Sequence, residues 1–350
     1  MKTLIYIVAL SLLLMLIAGF VFAKGQEDKG PVVPAASGAP LTNLASIISA
    51  AQLKERIDTG DPNLVIFGVI NPTAALIPLS ASSRSIEGAY LVWRPDYTGG
   101  GSSEAIGPEV TGFRKSREEM EALLSRAGIT YDSRIVVYSA DNMHDATRFI
   151  WQLSLLGLDA SYLDGGINAW VAAGYPTGRG VRLADQSPKN QFRARVYDTA
   201  KNNASLSLVV QALRNPNEWV VIDARSKDEN DGKQSGNSAG AFGTGRIKGS
   251  VFITWTDALD TKTQLLKSRA ELEAIYGNVI RGKKVIAYCQ SGVRSAHTWL
   301  VLSEALGAKE VYNFDGSWIE WSFAASEASG NRFNEVLPIT EEWKDNKKPI

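Results

Sequence analysis

The chain has 350 residues, of which 45% are hydrophobic and 21% charged, a composition ordinary for a folded globular protein. Basic and acidic residues number 37 each, so the formal net charge is zero and gives no electrostatic case for nucleic-acid binding. A single cysteine and two histidines exclude an intramolecular disulfide and a cysteine-cluster zinc site, and argue against any histidine-rich metal site. The length exceeds one hydrophobic core and predicts two domains.

Residues 1–23 are predicted to be a signal peptide. Lys2 precedes an apolar run over residues 4–22, and Val21-Phe22-Ala23 fits the small-residue rule for a cleavage site. About 20 apolar residues can also span a bilayer, so an uncleaved anchor is the alternative, and only that alternative would bring a membrane contact. No cysteine follows the run, which excludes a lipidated bacterial anchor. The folded part is expected to be exported, either to the periplasm or out of the cell.

Residues 24–44 contain Pro31, Pro34 and Pro40 among glycine, alanine and serine, which is the composition of a linker. Both halves of the remaining chain open with a predicted amphipathic helix, over residues 51–57 and 206–213. A hydrophobic strand follows each helix, over residues 64–67 and 220–222. Short apolar strands separated by helices predict parallel α/β domains.

The two halves are similar enough to predict a duplicated domain. Matching positions recur at an offset of 150 or 151 residues: Tyr138 and Tyr288, Gly157 and Gly307, and Asp164 and Asp315. Agreement at several constrained positions in one register indicates gene duplication. The two glycines end predicted helices and are expected to supply left-handed caps. The polar, turn-rich residues 176–189 are predicted to connect the domains.

Cys289 lies between a predicted strand over residues 284–287 and a predicted helix over residues 295–306. A helix N-terminus and loop amides favour the thiolate at such a position. A lone cysteine is more often a small buried hydrophobe. The glycine and the arginine that follow it, Gly292 and Arg294, favour a catalytic thiol instead.

Four motifs of the second half occur in a fixed order. They are Asp223-Ala224-Arg225, Gly245-Arg246-Ile247-Lys248-Gly249-Ser250, Cys289-Gln290-Ser291-Gly292-Val293-Arg294-Ser295 and Asp315-Gly316-Ser317-Trp318. They resemble the D-A-R, G-H-I-P-G-A, C-x-x-G-x-R-S and D-G-G-W patterns of the rhodanese (sulfurtransferase) family. The first half matches less fully, through Ile86-Glu87-Gly88-Ala89 and Asp164-Gly165-Gly166. The resemblance covers about residues 45–325.

This resemblance implies an α/β fold of two rhodanese-like domains, each a mainly parallel β-sheet flanked by helices. Residues 45–176 would form an inactive copy, residues 177–195 a linker, residues 196–328 the catalytic copy and residues 329–350 a polar tail. It also implies a sulfurtransferase without a metal or organic cofactor, whose partners are a small-molecule sulfur donor and a thiophilic acceptor. The sequence identifies no protein acceptor.

The residues of the first half support its assignment as inactive. Ser139 stands at the repeat position of Cys289, and the glycine and arginine of the active loop are replaced by Asn142 and His144. A catalytic serine would need a general base and an oxyanion site, and the sequence places no base there. The first half is therefore predicted to be a scaffold and one wall of a cleft.

The length of the loop favours sulfur over phosphate as the group that is transferred. Cysteine phosphatases have the similar pattern C-x5-R, whereas four residues separate Cys289 from Arg294 here. A cradle one residue shorter suits a single sulfur atom better than a phosphoryl group. The expected reaction has two steps, in which Cys289 takes sulfur from a donor such as thiosulfate and passes it to cyanide or a thiol. Loop amides would stabilise the persulfide.

Supporting roles are predicted for the residues around the cysteine. By resemblance Arg225 contacts the anionic donor, although the alternative is a surface salt bridge. Arg294 is expected to add positive potential or to lock the loop through a carboxylate, and Gly292 to permit a turn that a Cβ would obstruct. Substrate contact is also predicted for Gln290 and Ser291. Loop positions are predicted for Val293 and Ser295, structural roles for Asp223 and Asp315, and packing roles for His297, Trp255, Trp318 and Trp321.

The choice of donor stays open. Thiosulfate enzymes of the tandem type often carry basic residues after the cysteine, whereas Gln290 and Ser291 are neutral. Mercaptopyruvate enzymes have C-G-S-G-V and an aspartate in the first copy, but here Trp93 and Arg94 occupy that stretch and the nearest acid is Asp96. The C-x-x-G-x-R-S loop is similar to that of single-domain thiosulfate or polysulfide enzymes. Thiosulfate is therefore ranked first, 3-mercaptopyruvate second, and a non-catalytic sulfur-carrier or binding module third.

Overall fold

The computed structural model describes residues 45–73, 84–99, 112–234, 240–326 and 344–345. The predicted signal segment and the linker over residues 24–44 lie outside these ranges, as do residues 235–239 and most of the tail. Within the described ranges, no helix combines the length and apolar character needed to cross a membrane. Both halves belong to one compact unit.

The first half contains eight strands: β1 (Ile47–Ile48), β2 (Leu64–Val69), β3 (Tyr90–Val92), β4 (Thr98–Gly99), β5 (Phe113–Arg114), β6 (Arg134–Ser139), β7 (Ala160–Leu163) and β8 (Val181–Arg182). Six of them form a sheet in the order β1-β7-β6-β2-β3-β8, and every neighbouring pair is parallel. β4 and β5 form a separate antiparallel pair.

Five helices cover this sheet: α1 (Ala50–Asp58), α2 (Arg94–Tyr97), α3 (Arg117–Ala127), α4 (Met143–Leu155) and α5 (Gly166–Ala172), with a 3-10 turn at Leu183–Asp185. Local sequence fixes where two of them begin. Ser49 and Gln52 form a capping box that starts α1, and Ser116 and Glu119 form another that starts α3. Each box satisfies backbone amides that a helix start would otherwise leave unpaired.

The second half contains the strands β9 (Asn203–Ala204), β10 (Trp219–Asp223), β11 (Gly243–Thr244), β12 (Val251–Phe252), β13 (Lys284–Tyr288), β14 (Val311–Phe314) and β15 (Lys344–Asp345). Its helices are α6 (Leu206–Arg214), α7 (Lys227–Asn230), α8 (Arg269–Ile280), α9 (Arg294–Leu300) and α10 (Ser317–Ala325), with a 3-10 turn at Trp255–Ala258. The parallel sheet has the order β12-β10-β13-β14-β9, while β11 pairs with β15 in the antiparallel sense.

The predicted repeat is confirmed in three dimensions. The order β1-β7-β6-β2-β3 of the first sheet matches the order β9-β14-β13-β10-β12 of the second. In the first half, the hydroxyl of Tyr138 accepts a hydrogen bond from the backbone N–H of Ile86 at 3.1 Å. In the second, Tyr288 accepts one from Ile247 at 3.2 Å. The weaker first-half motif therefore stands in the same structural position as its second-half counterpart.

Two local features differ from the sequence expectation. β8 lies in the range assigned to the domain connection, yet it extends the first sheet by pairing with β3. A strand of two residues has no detectable hydrophobic period, so only its tertiary pairing reveals it. The helix predicted over residues 295–306 begins at Arg294 and continues beyond Leu300 as a π-helical turn, Val301–Ala305. Both predicted glycine caps are confirmed, with φ of 69° at Gly157 and 74° at Gly307.

The two halves meet at helices α4 and α9, which pack against each other. α4 is buried on nearly all sides because it lies between its own sheet and α9. The interface is reciprocal at the repeated aspartates. Asp164 accepts a hydrogen bond from the backbone N–H of Leu266 in the second half at 2.9 Å, and Asp315 accepts one from Arg114 in the first half at 3.3 Å.

Candidate active site

Cys289 directly follows β13, the central strand of the second sheet, and is only 1% exposed. The neighbouring strand β10 ends level with it, since Asp223 pairs with Tyr288. The carboxyl ends of parallel strands are where ligands bind in such sheets. The predicted nucleophile therefore lies at the edge of the sheet where chemistry is expected.

The loop surrounds the sulfur with hydrogen-bond donors. Burial alone would raise the pKa of the Cys289 thiol, but Arg294, the Ser295 hydroxyl and the backbone N–H groups of Ser295 and Ser291 outweigh it and lower this pKa. The Ser295 hydroxyl lies 3.5 Å from Sγ. Since the thiolate is the nucleophilic form, the environment favours reactivity.

Gly292 makes the tight turn of the loop, as predicted. Its φ is 75°, and a Cβ there would lie 2.6 Å from the carbonyl oxygen of Asp315. Its N–H donates to the hydroxyl of Ser317 at 2.9 Å, and the N–H of Cys289 donates to the same hydroxyl at 3.0 Å. Ser317 thus joins the two ends of the cradle, and it does so with a φ of 49°, which is uncommon for a residue other than glycine.

The far side of the loop is fixed by side chains from β14 and α9. The amide of Asn313 donates to the carbonyl oxygen of Gly292 at 2.9 Å, and its Oδ1 lies 2.6 Å from the hydroxyl of Ser295. Val293 is buried and directly precedes α9.

Of the two residues predicted to contact substrate, Gln290 is buried and Ser291 is partly exposed. The backbone carbonyl oxygen of Gln290 accepts a hydrogen bond from the N–H of Ile319 at 3.1 Å. Contact of Gln290 and Ser291 with a donor stays a prediction.

Arg294 binds a carboxylate, one of its two predicted roles, and it also adds the predicted positive potential. Its two terminal nitrogens lie 2.6 and 2.8 Å from the carboxylate oxygens of Glu229. Burial would raise the pKa of Glu229, but the hydrogen bonds and charge of Arg294, together with Ser226, lower it to about 2. Glu229 also completes the capping box of α7 with Ser226, so the position of Arg294 depends on the start of that helix.

Arg225 is buried rather than on the surface, so its alternative interpretation as a surface salt bridge is wrong. Its Nε and Nη2 bind the carboxylate of Asp223 at 2.9 and 2.7 Å, and Nη2 also donates to the carbonyl oxygen of Gly245 at 2.8 Å. The guanidinium lies 4.6 Å from the ring centre of Trp318. These contacts hold the loop around Gly245, while Nη1 has no partner among the described residues. Contact of Arg225 with a donor stays a prediction.

The first half contributes directly to the cradle. Arg148 of α4 is fully buried, and its Nη1 donates to the carbonyl oxygen of Gly292 at 3.2 Å. Its Nη2 forms an ion pair with Asp315, whose other oxygen is 2.7 Å from Nη1 of Arg114. Burial would raise the pKa of Asp315, but the two arginines lower it. The predicted structural role of Asp315 therefore extends across both halves.

Ser139 takes the place of Cys289 in the first half. Its hydroxyl is fully buried and accepts the backbone N–H of Ala146 at 2.8 Å, an arrangement that closes the loop onto α4. Within the described residues, this hydroxyl has no basic side chain as a hydrogen-bond partner. The inactivity of the first copy stays a prediction.

Residues that have no motif form a further cluster of charged and aromatic side chains, which connects the first half to α9. Nε of Arg94 lies 2.8 Å from the carboxylate of Asp145, and its Nη2 lies 3.3 Å from Nε2 of His144. The rings of His144 and Trp255 meet edge to face at 4.6 Å, and Trp255 in turn contacts His297 at 5.3 Å. Burial lowers the pKa of His297 to about 3, so its predicted packing role is consistent with a neutral ring.

Ser317, Arg148, Glu229 and Arg94 were not identified from sequence as parts of the site. A signal existed for two of them. Ser317 replaces Gly166 of the first copy, and Ser226 with Glu229 has the S-x-x-E spacing of a capping box. Within the described part of the chain, no group of three or more histidine, cysteine or acidic residues is arranged to hold a metal ion.

Comparisons with known proteins agree with this geometry. The family model for the rhodanese-like domain matches residues 49–173 and 208–324. A thiosulfate sulfurtransferase of Corynebacterium glutamicum is 31% identical over 244 residues, which cover 65% of this chain and 74% of that protein.

Two solved structures share the fold. One is SseA from Escherichia coli, described among 3-mercaptopyruvate sulfotransferases, with a TM-score of 0.61 and 23% identity over 79% of this chain and 99% of that one. The other is an anaerobic ergothioneine biosynthesis enzyme from Chlorobium limicola, with a TM-score of 0.65 and 22% identity over 79% of this chain and 68% of that one. With two matched domains and a complete cysteine loop in the second, the chain belongs to the rhodanese-like family and is a tandem two-domain sulfurtransferase of that family.

Proposed function

We propose that the protein transfers sulfane sulfur from thiosulfate to a thiophilic acceptor through a persulfide on Cys289. The observation that carries this proposal is the environment of Sγ. It is buried, it accepts from the loop amides of Ser291 and Ser295, and Arg294 helps to lower its pKa. Such donors stabilise the negative charge of the thiolate, which attacks in the first step and is the leaving group in the second.

In the first step the Cys289 thiolate attacks the outer sulfur of thiosulfate. A new S–S bond forms, the S–S bond of the donor breaks, and its electron pair leaves with sulfite. In the second step cyanide or a thiolate attacks the terminal sulfur of the persulfide. The electron pair of that bond returns to Cys289 as the thiolate, and the acceptor leaves as thiocyanate or as a new persulfide.

Thiosulfate is ranked above 3-mercaptopyruvate because of Asp96, the acid nearest in the chain to Trp93 and Arg94, where mercaptopyruvate enzymes have an aspartate. Asp96 accepts the backbone N–H of Trp93 at 2.7 Å and lies 3.6 Å from Arg182, so its carboxylate is already occupied. The thiosulfate sulfurtransferase of Corynebacterium glutamicum supports the same ranking. The second candidate, 3-mercaptopyruvate sulfurtransferase, is favoured by Ser291-Gly292-Val293, which match the C-G-S-G-V loop and supply a serine for proton transfer.

The test uses protein that starts at Lys24, assayed separately with thiosulfate and with 3-mercaptopyruvate, beside Cys289→Ser. We expect a Cys289-dependent product with thiosulfate and a persulfide on Cys289 by mass spectrometry. Faster turnover of mercaptopyruvate would reverse the ranking. If neither donor gives a Cys289-dependent product, the remaining hypothesis is a non-catalytic carrier or binding module. Hydrolysis of an aryl phosphate by the same sample would contradict the argument from loop length.

We also propose that residues 1–23 direct export and are removed. The support is the apolar run over residues 4–22 and the Val21-Phe22-Ala23 site. N-terminal sequencing of the protein recovered from its native cell envelope is expected to begin at Lys24. A membrane-bound protein that retains Met1 would instead establish the anchor.

A further inference from the structure

The internal symmetry of the molecule places Arg94 opposite the active loop. Ile86 and Ile247 hold equivalent positions in the two copies. Counted along the chain from these two residues, Arg94 of α2 corresponds to Trp255, which starts the 3-10 turn of the second half. Trp255 contacts His144, the first-half counterpart of Arg294. The same relationship across the interface predicts that Arg94 faces the loop that contains Arg294 and Cys289, and the charge of Cys289 does act on Arg94.

The guanidinium of Arg94 is oriented by contacts that leave part of it open. Nε is bound to Asp145 at 2.8 Å, and Nη2 lies 3.3 Å from His144. Nη1 has no partner in the described part of the chain, and 41% of the side chain is exposed. In contrast, both terminal nitrogens of Arg294 are engaged by Glu229. Among the contacts of the described residues, Arg94 therefore keeps one donor, Nη1, for a ligand.

His144 keeps the space between the two arginines neutral. Burial and then the charges of Arg94, Arg294 and His297 hold its pKa well below the ordinary value. Because Nε2 accepts a hydrogen bond from Arg94, the neutral ring carries its proton on Nδ1, which is buried and has no partner within the described residues. The neutral ring adds no charge to its surroundings, where Arg94 is paired with Asp145 and both terminal nitrogens of Arg294 are bound by Glu229, so Nη1 of Arg94 is the donor that an anion can engage.

The charges of Arg94 and Cys289 interact. Burial lowers the pKa of Arg94, but Asp145 and, as a smaller contribution, the negative charge of Cys289 raise it above its ordinary value. A thiolate that attacks an anionic donor is repelled by it unless cations hold the donor. A guanidinium is suited to this task because its fork binds carboxylate and sulfonate oxygens with charge-assisted hydrogen bonds.

We propose that Arg94 binds the oxyanion end of the sulfur donor while the loop around Cys289 holds the sulfur that is transferred. The inference rests on the proposed function, because it assigns a residue of the first half to the donor site of that reaction. The ligand chemistry is a sulfonate or a carboxylate, supplied by thiosulfate or by 3-mercaptopyruvate respectively.

A binding test that needs no turnover uses sulfate as the probe. Sulfate is expected to slow the alkylation of Cys289 by neutral iodoacetamide in the wild type. In Arg94→Gln, half-protection should require about tenfold more sulfate, the loss expected for one charge-assisted contact. Asp145→Asn should move half-protection to lower sulfate, because it frees the guanidinium. Equal half-protection in wild type and Arg94→Gln would overturn the inference.

Kinetics with each donor then identify the source of the oxyanion. We expect Arg94→Gln to raise KM about tenfold with kcat nearly unchanged. If KM rises for thiosulfate alone, Arg94 binds the sulfonate, and if it rises for mercaptopyruvate alone, Arg94 binds the carboxylate. If KM rises for both donors, the two oxyanions share the site. A fall in kcat with unchanged KM would show that Arg94 only positions its neighbours, and would overturn the inference.

Two control variants accompany these assays. Arg193→Gln removes a first-half arginine whose side chain is 68% exposed, and it should match wild type in both assays. Arg94→Gln combined with Asp145→Asn avoids leaving a buried carboxylate unpaired, and should bind sulfate as weakly as Arg94→Gln. If the wild type transfers sulfur from neither donor, the proposed function fails, while the sulfate protection assay still decides on Arg94.

Discussion

Nη1 of Arg148 lies 3.2 Å from the carbonyl oxygen of Gly292, so a side chain of the inactive copy supports the turn of the catalytic loop. The same side chain binds Asp315, and a Cβ on Gly292 would lie 2.7 Å from Nη1. The packing of the two copies therefore does more than bury surface, because it completes the cradle around Cys289.

Arg148→Met is expected to destabilise the protein by about 3 kcal/mol, since it removes one partner of a buried ion pair. Sulfur transfer should fall as well, because the carbonyl of Gly292 loses a donor. Urea unfolding and steady-state rates measure the two effects. Arg193→Met, at an exposed arginine, should change stability by less than about 0.5 kcal/mol. Wild-type stability and activity in Arg148→Met would contradict a role of the first half in the cradle.

Gly292→Ala is expected to abolish most activity and to cost about 2 kcal/mol or more, because φ is 75° and the new Cβ would overlap the carbonyl oxygen of Asp315. Gly307→Ala is the matched control, with φ of 74° and no atom near the added Cβ. It should cost about 1 kcal/mol and leave activity intact. If both variants lose stability and activity equally, the close approach at Gly292 is unimportant.

Ser317→Ala is expected to destabilise the protein by about 2 kcal/mol, because the buried N–H groups of Cys289 and Gly292 lose their shared acceptor. It should also slow persulfide formation, since the ends of the cradle are no longer joined. Ser303→Ala removes a hydroxyl that only donates to the helix carbonyl of Trp299, and should stay within about 0.5 kcal/mol of wild type. Thermal melting and single-turnover persulfidation compare the two.

The pH dependence of Cys289 alkylation should report the lowered pKa of its thiol. The rate rises as pH increases through the pKa of the folded protein, so the wild-type midpoint should lie below that of an ordinary cysteine. Arg294→Gln removes a positive charge that favours the thiolate, so its midpoint should move to higher pH and its rate at pH 7 should fall several-fold. Arg269→Gln, at an exposed helical ion pair, is the control. An unchanged midpoint in Arg294→Gln would argue against electrostatic activation by this residue.

The sequence by itself determined the family and the repeat, and it predicted Cys289 as the nucleophile and the first copy as inactive, which stay predictions. Those features depend on short motifs, such as the loop from Cys289 to Ser295, and on hydrophobic strands whose pattern is local in the chain. The turn at Gly292 was also predictable, because few residues other than glycine adopt its backbone conformation.

Only the tertiary structure decided which side chains complete the site. Arg148 and Asp315 are 167 residues apart in the chain, and Arg225 satisfies Asp223 in the interior instead of on the surface. Contacts of this kind follow from how two sheets and the helices α4 and α9 pack, and one sequence carries no local pattern for them. The neutral His144 and the open guanidinium of Arg94 likewise result from burial, which depends on the neighbours that the fold supplies.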